Sequence, residues 1–105
     1  MSEKYNKIFE EFKNNNKREI FQVGKILGRG AFGEVRDVTY KNKVMAGKVI
    51  EKDEDEQTQE EKFVLELRGF NLIKMNKIYT RKINNKYYDL IIIGKSNIKR
   101  FGKIK

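Results

Sequence analysis

Residues 27–35 read "LGRGAFGEV", and Gly28, Gly30 and Gly33 fall within six positions. This satisfies G-x-G-x-x-G, a spacing shared by two unrelated phosphate-binding loops, one that opens a helix and one that joins two strands. The flanking residues decide between them. "EVRDVTY", residues 34–40, carries the β-favouring Val35, Val38, Thr39 and Tyr40, and a turn signal, "KNK", follows at Lys41 to Lys43. A dinucleotide-binding unit would need a helix through this stretch, against its propensity, although Glu51 and Asp53 stand near the place where such a unit carries its ribose-binding acid. Upstream, "EIFQVGKIL", residues 19–27, is equally β-rich. The glycine loop is therefore expected to join two antiparallel strands, with its backbone amides free to approach phosphates.

A third strand follows. In "VMAGKVIE", residues 44–51, alternation places Val44, Ala46, Lys48 and Ile50 on one face and Met45, Gly47 and Val49 on the other. Lys48 thus shares a face with apolar neighbours, where an ammonium is costly without an anion or a carboxylate beside it. Taken singly, the loop also reads as a ligand-free hairpin turn and Lys48 as a lysine that snorkels to solvent. Together, at this spacing, they favour a hairpin whose loop and lysine hold the phosphates of a nucleotide.

The remaining elements follow from periodicity. Tyr5, Ile8, Phe9 and Phe12 recur at helical spacing behind Ser2, a candidate N-cap, and predict a short amphipathic helix over about 3–13. Asn14, Asn15 and Asn16 end it, because their side chains compete for backbone hydrogen bonds. The acidic run "KDEDEQTQEEK" grades into a helix over about 56–68 with Phe63, Val64 and Leu67 on one face, closed by Gly69. "KIYTRKI" and "YYDLIII" read as two more strands joined at Asn84-Asn85. The order is helix, three strands, helix, two strands, an α+β class.

Composition bounds the function. A chain of 105 residues, 38% hydrophobic and 37% charged, suits one small domain with a modest core. Without cysteine or histidine it has no disulfide, thiol or imidazole chemistry. Its longest apolar run, Leu90 to Ile93, falls far short of the roughly 20 residues of a membrane span, and no leader pattern opens the chain. A cytoplasmic setting is expected, with the nucleus as the other compartment. The net charge of +9 is concentrated in residues 71–105, where ten basic residues face the single acid Asp89. Such a segment would attract nucleic acid, with Tyr79, Tyr87 and Tyr88 as stacking groups, but a solvated lysine-rich surface is the simpler account.

The loop, followed by "VMAGK" at residues 44–48, resembles the N-terminal lobe of eukaryotic protein kinases, in which a glycine-rich loop covers ATP and V-A-I-K supplies a strand lysine. Gly47 stands where that motif has isoleucine. "GFNLIKM", residues 69–75, is similar to the family's H-P-N-I-V-K-L string, and "YYDLIII" to its fifth strand. The resemblance covers residues 19–96. It divides the chain into a helical extension at 1–18, an ATP-binding kinase lobe at 19–96 and a basic tail at 97–105 that stops before a C-terminal lobe. The implied fold is a twisted five-stranded antiparallel sheet with one packed helix, besides the short N-terminal helix.

The resemblance also implies a site. Gly28, Arg29, Gly30, Ala31, Phe32 and Gly33 would cover the phosphates of ATP, and Leu27, Val35 and Ala46 would form the upper wall of the adenine pocket. Lys48 would hold the phosphates and pair with Glu60, or with Glu61, from the helix. Ile93, or Ile92, would stand at the back of the pocket, with Gly94 to Ser96 as the hinge.

The family's H-R-D-x-x-x-x-N, D-F-G and A-P-E segments do not occur in these residues, and Phe101-Gly102 follows Arg100 rather than an aspartate. No catalytic residue is therefore assigned, and Mg²⁺ is expected only where a C-terminal lobe supplies its ligands. Transfer of phosphate to protein serine or threonine belongs to the full-length family, with ATP binding by this chain weak and no activity of its own. Two readings stay open: a fragment of a serine/threonine-type kinase, and a non-catalytic, pseudokinase-like module that binds a protein partner through its cleft face.

Overall fold

The computed structural model describes residues 2–30, 33–53 and 77–95. A helix, α1 (Ser2–Asn15), precedes five strands: β1 (Ile20–Arg29), β2 (Gly33–Tyr40), β3 (Lys43–Lys52), β4 (Lys77–Ile83) and β5 (Lys86–Gly94). The strands form one antiparallel sheet in the order β1-β2-β3-β5-β4. The chain thus has the expected α+β class and five-stranded antiparallel sheet. The predicted helix over 56–68, Gly69, the string at 69–75 and the tail at 97–105 lie outside the described residues.

The β2–β3 and β4–β5 turns are set by asparagine. Lys41 and Asn42 have φ of 47° and 67°, and Asn84 and Asn85 have φ of 52° and 66°. Two successive residues in the left-handed region make the two-residue turn whose twist matches that of paired strands, and asparagine tolerates that region best among side-chain-bearing residues. The first turn is one residue shorter than the sequence signal, because Lys43 already pairs with Tyr40.

Helix α1 ends as its asparagines dictate. The side-chain amide of Asn15 donates to the Glu11 carbonyl at 2.7 Å, and that of Asn16 to the Phe12 carbonyl at 2.9 Å, the latter among the carbonyls that the last turn leaves without a helical partner. Its apolar face lies on the sheet. Ile8, Phe9 and Phe12 are buried in a cluster with Ile20, Val38, Tyr40, Met45, Val49, Tyr88, Leu90 and Ile92, and Tyr5 packs at its margin. Among the described residues this is the helix that covers the sheet, so the segment read as an extension shares the core of the strands. The reason is the pair Phe9 and Phe12, each about 1% exposed, whose burial contributes roughly 1.5–3 kcal/mol apiece.

Within the sheet, side chains of the strands flanking β3 close over Gly47. A Cβ there would stand 2.6 Å from Cγ2 of Val38 and 3.2 Å from Cδ1 of Leu90, on the α1 face. The glycine in "VMAGK" is thus a packing requirement of the covered face. Across the sheet the alternation of β3 is as predicted: Met45 and Val49 join the α1 cluster, while Ala46 and Ile50 join a second cluster on the opposite face. Among the described residues, no helix is long and apolar enough to cross a membrane.

Candidate functional site

The glycine loop connects β1 to β2 as a hairpin. Arg29 pairs with Glu34 and Gly28 with Val35, and the Gly30 amide closes the loop by donating to the Gly33 carbonyl at 2.9 Å. Ala31 and Phe32 lie outside the described residues. The register of β1 shifts between Val23 and Ile26 and again between Ile26 and Gly28, irregularities that bend a strand and raise its twist next to the loop.

The three glycines have different reasons to be glycine. Gly33 is required by the neighbouring strand, since a Cβ on it would lie 2.8 Å from Cγ2 of Ile50 and closer still to the Val49 carbonyl oxygen. Around Gly28 and Gly30, no atom among the described residues lies within 4 Å of a built Cβ, and neither has a positive φ. Among the described residues, their missing side chains leave room for a ligand to approach the backbone closely.

Lys48 lies in the middle of β3, level with Val35 on β2 and Ile91 on β5. It is half-buried, and alternation puts it on the face away from α1, between Ala46 and Ile50. The cluster on that face consists of Ala46, Ile50, Ile91 and Ile93, with Leu27, Val35 and Ile78 packed against it. The residues named for the adenine pocket, Leu27, Val35, Ala46 and Ile93, therefore come together on the face of Lys48, although they derive from four strands. Ile93 is the register partner of Ala46, whereas Ile92 points into the α1 cluster. Of the two isoleucines offered for the back of the pocket, only Ile93 shares the lysine's face. Glu60, Glu61 and Ser96 lie outside the described residues.

Two buried ionic groups were not anticipated. On the Lys48 face, Asp89 is fully buried; the Thr80 hydroxyl donates to its Oδ1 at 2.6 Å and Lys52 Nζ stands 3.1 Å from the same atom. The available signal was a lone carboxylate inside the apolar run "YYDLIII". On the α1 face, Glu34 is 1% exposed and lies between two arginines. Arg29 Nε donates to its Oε1 at 2.9 Å, and Arg36 Nε donates to its Oε2 at 2.7 Å. The Arg36 guanidinium in turn lies 4.9 Å from the centre of the Phe9 ring. At the other end of the sheet, Lys95 Nζ reaches Asp37 at 3.0 Å and ties the end of β5 to β2 across β3.

The tyrosines considered for base stacking are differently placed. Tyr88 is buried and its hydroxyl donates to Glu51 at 3.3 Å, the Tyr79 hydroxyl donates to Glu19, and Lys82 Nζ lies 5.7 Å from the Tyr87 ring centre. A shallow groove lined by Asn6, Lys7, Glu10, Glu11, Ile83 and Asn84 runs between α1 and the β4–β5 turn, on the face opposite Lys48. In comparisons with known proteins, no family model and no curated sequence matches the chain.

Proposed function

We infer that the chain is an ATP-binding lobe of the protein-kinase type. The observation that carries the reading is the convergence of Leu27, Val35, Ala46 and Ile93 in one apolar cluster on the face of Lys48. An adenine ring is flat and apolar on its faces and suits such a wall, while polyphosphate needs a cation and exposed amides. Lys48 supplies the cation, and the hairpin, with no described atom within 4 Å of a Cβ built on Gly28 or Gly30, leaves room for phosphates to approach its backbone.

The reading is one of nucleotide binding. The 105 residues hold no histidine and no H-R-D segment, and phosphoryl transfer needs an aspartate to orient the hydroxyl and oxygen ligands to hold Mg²⁺. Transfer to protein serine or threonine is thus proposed only for the chain joined to a second lobe.

Calorimetric titration with ATP tests the reading. Lys48→Ala is expected to abolish the binding signal, whereas Lys41→Ala, which alters an exposed lysine of the β2–β3 turn, leaves it. Equal loss in both variants would mean nonspecific attraction to a basic protein, and no signal in the native chain would remove the reading.

A further inference from the structure

We propose that helix α1 sets the rigidity of the glycine loop through the contacts Phe9–Arg36–Glu34–Arg29, with Glu34 as the positioning residue. This rests on the loop being the nucleotide-binding element, and it adds a point of control on the far side of the sheet from the ligand.

The contacts are continuous. Phe9, 1% exposed at the α1–sheet interface, offers its ring face to the Arg36 guanidinium at 4.9 Å. Arg36, itself 7% exposed, donates from Nε to Glu34 Oε2 at 2.7 Å, with Nη2 2.6 Å from the same oxygen as an ion pair. The second carboxylate oxygen of Glu34 accepts from Arg29 at 2.9 Å. Arg29 stands between Gly28 and Gly30, and the Gly30 amide makes the bond that closes the loop.

The chemistry makes this a coupled set. A carboxylate out of water must keep its cationic partners, so Glu34 stays where Arg36 holds it. Arg36 is oriented by the aromatic ring above it, because a guanidinium stacks on a π face while also donating in its plane. Arg29 has half of its side chain in solvent, so without Glu34 its conformation would be free. The glycines on either side contribute no side-chain contact that would order the loop instead. Whatever displaces α1 from the sheet therefore loosens the loop.

Hydrogen exchange of the native full chain without nucleotide tests this, and its outcome is independent of the ATP titration. Phe9→Leu keeps an apolar side chain but removes the ring face; Glu34→Gln keeps the shape but removes the charge. Both are expected to speed exchange of the Gly30 amide at least about threefold relative to β5 amides at Leu90 and Ile92, as a local opening would. Phe12→Leu, an equivalent truncation in α1 with no part in the chain of contacts, is expected to leave that ratio unchanged. An unchanged ratio in Phe9→Leu and Glu34→Gln overturns the proposal. So does an equal rise in Phe12→Leu, which would mean general loosening of the helix.

Discussion

A methyl group on Gly33 would stand 2.8 Å from Cγ2 of Ile50, so β2 and β3 keep their register only with glycine at this position. The third glycine of the loop is thus a structural residue, while no described atom lies within 4 Å of a Cβ built on the first two. Gly33→Ala is expected to lower stability by about 1–3 kcal/mol, the usual cost of overpacking. Gly28→Ala and Gly30→Ala should stay within about 0.5 kcal/mol of the native chain, as at unconstrained surface positions. Thermal unfolding separates the two classes, and ATP titration of the latter pair reads the ligand role alone.

The buried carboxylate on the α1 face should respond asymmetrically to substitution. Arg36→Leu leaves Glu34, among the described residues, with the half-exposed Arg29 as its ion-pair partner, and breaking a buried pair costs roughly 3–5 kcal/mol. The double variant Glu34→Leu/Arg36→Leu removes both charges and should be more stable than Arg36→Leu alone. Urea unfolding of Arg36→Leu, Glu34→Leu and the double variant beside the native chain gives the coupling directly.

Removing α1 should uncover the core rather than trim an appendage. Deletion of residues 2–15 exposes Val38, Tyr40, Met45, Leu90 and Ile92, all buried beneath the helix, and a contiguous apolar patch of this kind drives association. The deleted chain is expected to elute as aggregate in size-exclusion chromatography. Phe12→Ala, a milder version, should cost about 3–5 kcal/mol.

Acid should weaken the same face through Glu51. Its carboxyl is held below its ordinary value of 4.5, chiefly by a hydrogen bond from Lys86 and also by the charge of Lys4, against the opposing effect of burial. A depressed folded value means that this contribution is complete above 4.5 and is lost as pH falls through the folded value. Lys86→Ala should therefore flatten the fall in melting temperature below that pH. At the alkaline end, burial, reinforced by Glu51, raises the phenols of Tyr5 and Tyr88 above 10.0. Their contribution is complete below 10.0 and is lost as pH rises through the folded values, so the melting temperature should fall there too.

Much of the sheet was legible because its signals are local. The β3 alternation, the Asn84-Asn85 turn and the strands at 77–83 and 87–93 depend on neighbours in sequence, and each occurs where the pattern placed it. The convergence of Leu27, Val35, Ala46 and Ile93 came from the resemblance, and alternation then selected Ile93 over Ile92. The partner of α1 was not legible, since an amphipathic face declares that it will be covered and not by what. Glu34 was hidden for a related reason. β2 places Glu34 and Arg36 on one face with Val38 and Tyr40, so neither face of that strand reads as apolar. Burial of its charges depends on a helix far away in sequence.

That helix has a consequence for how the chain reaches its native state. Phe9 and Phe12 lie on α1, yet their cluster is completed by Leu90 and Ile92 on β5, and Glu19 meets Tyr79 across 60 residues. During synthesis the helix emerges before the strands and waits, its apolar stripe uncovered, until β5 has left the ribosome. Contacts this distant close late and slowly, so the nascent chain carries exposed apolar surface, an aggregation hazard, until β5 inserts between β3 and β4.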